Sequence, residues 1–152
     1  MRWLKIILGV ALLMLLGWWL KERFFISEET RIKRAIAAAE QAVEAGNLLK
    51  LEGFIAQDYT DHYGFDKSTV LAGIRQFRAQ YPKIFIHITG MTITLADDRQ
   101  TAQTAFIARI LTGPVDDPSA TEVRNERLRL HLRKTDSGWK LRRAEAPELK
   151  FE

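Results

Sequence analysis

From Ile6 to Leu20 the chain reads IILGVALLMLLGWWL without a single charge, and Trp3 and Leu4 extend the apolar stretch past Lys5. That makes about 18 residues, and at ~1.5 Å rise per residue such a helix just crosses a ~30 Å hydrocarbon layer. Trp3 at one end and Trp18 and Trp19 at the other fall where aromatic rings favour the membrane interface. Lys5 is close enough to the end to snorkel. A core helix would keep a polar face at helical period, and this run has none. A cleaved leader would end in small residues, whereas this one ends in Gly-Trp-Trp-Leu and then Lys-Glu-Arg. The sequence therefore predicts an uncleaved single-pass anchor and juxtamembrane segment over 1–26, a soluble domain over 27–147 and a tail over 148–152. An inner (plasma) membrane location follows. Arg2 and Lys5 favour an inward N-terminus while Lys21, Arg23, Arg31, Lys33 and Arg34 pull the other way. The common plan of short tail, span and domain puts the domain on the periplasmic or extracellular side.

Of the 152 residues, about 125 remain beyond the anchor, the size of one domain with its own core. With 28% charged and 47% hydrophobic residues the chain is globular in composition. It has no cysteine, which excludes disulfides, thiolate nucleophiles and Cys-based zinc sites. The net charge of +4 sits mostly beside the apolar segment and from Arg124 to Arg143, too modest an excess to predict nucleic-acid binding.

Beyond the anchor, Ile32, Ala35, Ile36, Ala39, Ala42 and Val43 recur at helical spacing, so Glu28–Ala45 is expected as a helix capped by Ser27 and stopped at Gly46-Asn47. A second helix is expected over Leu48–Ala56, then an irregular aromatic-rich link over Gln57–Gly64. A third, capped by Asp66 or Ser68, runs to Gln80 with Val70, Leu71, Ile74, Phe77 and Tyr81 inward, and Pro82 closes it. The period then becomes strand-like, with strands expected at Ile84–Leu95, Thr101–Thr112, Thr121–Lys134 and Trp139–Glu145. Ala96–Arg99 and Asp136–Gly138 read as short turns and Gly113–Ala120, with Pro114 and Pro118, as a longer loop. Helices followed by long antiparallel strands give an α+β domain with helices on one face of a curved sheet.

This order, together with the segments YTDHYGFDKSTVLAGIRQF and DSGWKLRRAE, resembles the nuclear transport factor 2-like (SnoaL-like) superfamily over Glu28–Glu145. The resemblance implies a cone-shaped, cystatin-like roll whose bent sheet and helices enclose a pocket. It also implies a range of roles, from enzymes and ligand binders to protein-interaction modules, so it names no function. In layout, one span joined to such a cone is similar to inner-membrane components of bacterial type IV secretion systems.

Four groups of residues can carry chemistry. Tyr59, Asp61 and His62 are candidate catalytic residues: a His beside a carboxylate can work as an acid or base, and a Tyr can donate to an oxyanion. The alternative is a surface turn whose tyrosines cover the core. His87 is expected on one strand face with Phe85, Thr89, Met91 and Ile93, and Arg109 interrupts an apolar strand face where a guanidinium calls for a carboxylate. Both are candidate ligand-binding residues for a small acidic ligand. Arg127, Arg129 and Arg133, joined by His131 and by Arg143 on the next strand, make a positive sheet face that can meet a partner protein. His62, His87 and His131 are scattered, and there is no Gly-rich phosphate loop, so neither a metal nor a cofactor is expected. These features favour a non-enzymatic, membrane-tethered module engaging a protein partner or forming a homodimer. The alternative is a small-molecule binder or isomerase/dehydratase-like enzyme using Tyr59, Asp61, His62 and Arg109.

Overall fold

The computed structural model describes residues 2–24, 26–113 and 121–147. The expected loop over Gly113–Ala120 from Pro114 onward and the tail over 148–152 lie outside them. In chain order the elements are α1 (Arg2–Phe24), α2 (Glu28–Ala45), α3 (Leu48–Phe54), β1 (Ile55–Asp61), α4 (Lys67–Gln80), β2 (Lys83–Leu95), β3 (Thr101–Gly113), β4 (Glu122–Thr135) and β5 (Gly138–Glu145). The strands form one curved sheet in the order β1-β5-β4-β3-β2.

The helix ends follow the local chemistry. Ser27 Oγ accepts from the Thr30 amide at 3.2 Å, and Gly46 adopts a left-handed conformation (φ 68°) from which its amide reaches the Ala42 and Val43 carbonyls. Of the two possible caps for α4, Asp66 is the one used: its Oδ1 accepts from the Thr69 amide at 2.8 Å and from the Ser68 hydroxyl at 2.9 Å. Those hydrogen bonds, the Thr69 amide first, hold the Asp66 carboxyl below its ordinary range.

One face of the sheet is covered by α2. Ile32 and Ile36 pack with Ile55, Tyr59, Ala102, Phe106, Ala108, Leu130, Leu132, Trp139 and Leu141 in a single core. Two carboxylates pin α2 across that face. At its start Glu28 accepts from Lys134 Nζ (2.8 Å) and from the Trp139 indole (2.9 Å), and near its end Glu44 accepts from the Ile86 amide (2.8 Å). The second contact occupies a backbone donor on edge strand β2, one that would otherwise invite another strand.

Two expectations are corrected. The second helix stops at Phe54, and Ile55–Asp61 is a strand, not a helix end and link; it lies parallel to β5, pairing Ile55 with Leu141 and Thr60 with Arg143. This strand lies at the sheet edge and carries few apolar residues, so no period-2 signal marks it. The second correction concerns β2. Pairing with β3 shifts between Thr89 and Thr92, so that Gly90 (φ 63°) and Met91 stand opposite Phe106. Past this bulge the faces exchange: Met91, Ile93 and Leu95 join Ile86 and Ile88 against the core, and His87 is left on the outward face without them.

Candidate functional site

The stretch from Asp58 to Tyr63 does not assemble into one site. Tyr59 points inward from β1, is 5% exposed and belongs to the core. Burial, with a smaller contribution from Asp61, pushes its phenol up to about 12, so it stays neutral within the core. Asp61 serves the turn after β1: its Oδ1 accepts from the Tyr63 amide at 2.9 Å and the Phe65 amide at 2.8 Å. His62 is exposed and packs against Tyr63, with ring centroids 3.7 Å apart and the planes tilted by 40°. Tyr63, 70% exposed, in turn lies 6.0 Å from Phe65. The candidate catalytic trio is thus divided among core, turn and solvent.

The outward face of the sheet brings the other candidates together. His87 and Arg109 are cross-strand partners, and Arg109 is paired in turn with Asn125 on β4. Both are exposed. Arg109 therefore sits on an open surface, which explains how it is tolerated without the carboxylate that burial would demand. One row along, Thr89, Ile107 and Arg127 stand side by side; on the opposite flank are Phe85, Leu111 and Val123. Phe85 is 64% exposed and Val123 47%.

Beyond this patch the arginine row is largely neutralised. Arg129 and Arg143 reach Glu145 at 3.6 and 3.0 Å, and His131 approaches the same carboxylate at 3.6 Å. Arg133 makes a bidentate pair with Asp58 (2.9 and 3.0 Å), and Arg142 approaches it at 3.5 Å. The Arg133 hydrogen bonds hold the Asp58 carboxyl below its ordinary range. Arg109 and Arg127 make no ion pair with any described residue, so charge is concentrated where the apolar side chains are. Sequence reading missed Asp58 and Glu145 as the balancing acids; Asp58 lies 75 residues from Arg133, and only parallel pairing of β1 with β5 brings the two together.

On the inward face, the Leu-bearing side of β4 also carries Glu122, Arg124 and Glu126, aligned with Thr112, Ile110 and Ala108. Arg124 and Glu122 pair at 3.2 Å. The Thr104 hydroxyl is buried with no hydrogen-bond partner among the described residues. No cluster of three metal-ligating side chains occurs among the described residues. α1 has a stretch, Trp3–Lys21, long and apolar enough to fit a signal anchor or a membrane span, and none of it is buried against the domain.

A SnoaL-like domain profile matches residues 32–145. The chain belongs to the SnoaL-like family. Solved structures agree on the fold. A candidate scytalone dehydratase from Novosphingobium aromaticivorans superposes with a TM-score of 0.71 at 12% identity, over 78% of this chain and 82% of that one. A candidate dehydratase of the nuclear transport factor 2-like family from Streptomyces avermitilis gives 0.70 at 20% identity, over 81% and 97%. Bd1075 from Bdellovibrio bacteriovorus gives 0.67 at 16% identity over 80% of this chain, which spans only 40% of Bd1075. At such identities these likenesses establish the SnoaL-like fold and leave the activity open. No curated protein matches the chain at significance.

Proposed function

We propose that this SnoaL-like domain is a membrane-tethered, non-enzymatic binding module that engages a partner protein through the outward face of its sheet. The observation that carries this reading is the patch on that face: Phe85, Ile107, Leu111 and Val123 exposed or half-buried beside two guanidiniums, Arg109 and Arg127, that find no carboxylate among the described residues. An apolar centre with flanking arginines has the composition of a protein-binding hot spot. The complementary surface is apolar with carboxylates around it. A second copy fits less well, because an isologous pairing on this face brings Arg109 and Arg127 toward their own counterparts. The tether reading is supported by the exposure of α1: side chains such as Trp3 and Met14 stay largely uncovered by protein, and a lipid layer would cover them.

The test places a photo-crosslinking residue at Phe85 or Val123 of the full chain in its native membrane. A single adduct is expected at both positions, lost in Arg109→Glu and Arg127→Glu and retained in Arg133→Ala, whose charge Asp58 already balances. An adduct indifferent to Arg127→Glu would sink the charged-patch reading. An adduct with a second copy of the chain would replace the partner by a homodimer.

A small-molecule binder or isomerase/dehydratase-like enzyme is the second reading, favoured by the unsatisfied Thr104 hydroxyl on the inward face. A small acidic molecule retained stoichiometrically by the full chain in native mass spectrometry, and lost in Thr104→Val, would move the assignment to it.

A further inference from the structure

Between α1 and the start of α2 lies a cleft of about 1020 Å³, lined by Met14, Gly17, Trp18 and Lys21 on one side and by Ser27, Thr30 and Arg34 on the other. Each wall has a physical character of its own. Met14, Gly17, Trp18 and Lys21 recur at three- and four-residue steps, so they lie on one face of α1, apolar except at its last member. Thr30 and Arg34 are one turn apart on α2, with Ser27 at its cap. The cleft is therefore apolar toward the middle of α1 and polar and cationic toward the start of α2.

We propose that this cleft holds the headgroup of an anionic phospholipid, with Lys21 and Arg34 on the phosphate, the Ser27 and Thr30 hydroxyls beside it, and the Met14–Trp18 wall against the start of an acyl chain. The assignment rests on reading α1 as a membrane span. With the span at Trp3–Lys21, Trp18 and Lys21 lie at the interfacial level, so the first turns of α2 border the headgroup layer.

Charge complementarity identifies the occupant. Neither Lys21 nor Arg34 forms an ion pair with a described residue. The neighbouring Arg31 is held by Glu28 at 3.5 Å, and Glu28 is itself turned toward Lys134 and Trp139 on the sheet. Lys33 adds a further exposed cation on the same helix, against the single exposed acid Glu29. Juxtamembrane cations of this kind draw anionic lipid to the protein surface. A free phosphate would satisfy the two cations and leave the apolar wall bare, and a zwitterionic headgroup would bring its own cation against Lys21 and Arg34.

The test uses the full chain reconstituted in nanodiscs of mixed phosphatidylglycerol and phosphatidylcholine, with native mass spectrometry of the lipids that stay bound on release. The wild type is expected to retain phosphatidylglycerol in preference to phosphatidylcholine. Lys21→Gln with Arg34→Gln is expected to lower that preference roughly thirty-fold, while alkaline carbonate extraction still finds the variant in the membrane. Equal retention of the two lipids, an unaltered preference in the double variant, or release of bound lipid by inorganic phosphate overturns the proposal and leaves the span intact. Extraction of the wild type by carbonate overturns the span and the proposal together.

Discussion

Glu28 shows how much of this domain depends on single charged groups. Its carboxylate receives Lys134 Nζ on one oxygen and the Trp139 indole on the other, tying the first turn of α2 to the β4–β5 hairpin. The Lys134 hydrogen bond is the main influence holding its titration below the ordinary 4.5, against the opposing effect of burial. A depressed folded value means that stability is contributed above the unfolded value and lost as pH falls through the folded one. Glu28→Gln is accordingly expected to cost about 2 kcal/mol at neutral pH, the scale of hydrogen bonds to a charged group. The same substitution should flatten the acid limb of a stability-versus-pH curve below pH ~4.5. Thermal unfolding across that range checks both, and a variant with wild-type midpoint and wild-type acid slope would refute the role.

At the scale of elements, Gly90 decides which side chains β2 shows to which face. Its φ of 63° lies in the left-handed region, and a Cβ there would meet nothing within 4 Å, so the cost of a side chain is conformational and not steric. Gly90→Ala should destabilise by about 1–2 kcal/mol, whereas Gly73→Ala, equally uncrowded but inside α4, should stabilise by up to about 1 kcal/mol. Chemical denaturation of both distinguishes them, and equal effects would refute a conformational cost at Gly90. The helices and four of the strands were legible because caps and periodicity are local: Ser27, Gly46 and the alternation from Leu128 to Leu132 announce themselves. An isolated glycine in a strand is also a local sign, and Gly90 could have warned that Met91 and Ile93 turn inward. β1 had no such sign, since its pairing is parallel and with the last strand. The placement of the candidate residues was legible only in part. Alternation put Arg127, Arg129 and Arg133 outward, but the acids that neutralise two of them come from Asp58 and Glu145, and no rule of spacing connects those positions.

For the molecule as a whole, the division of labour between α1 and the domain is itself testable. Among the described side chains, no core member comes from α1; the cluster runs from Ile32 to Leu141, and the helix from Trp3 to Lys21 is unburied. Removing residues 1–26 leaves the Ser27 cap and both anchoring carboxylates of α2 in place. The shortened chain is expected to be soluble and to unfold cooperatively, with a Tm within about 2 °C of the full chain measured in the same detergent, since 1 kcal/mol moves a domain of this size by several degrees. A loss of 10 °C or more would mean that α1 packs on the domain. In that case the cleft between α1 and α2 would be a partly filled interior instead of a surface open to lipid, and the exposed apolar length of α1 would need a protein partner to cover it. A domain indifferent to the loss of α1 instead fits the proposed tether, in which α1 serves location and the folded domain keeps its own core.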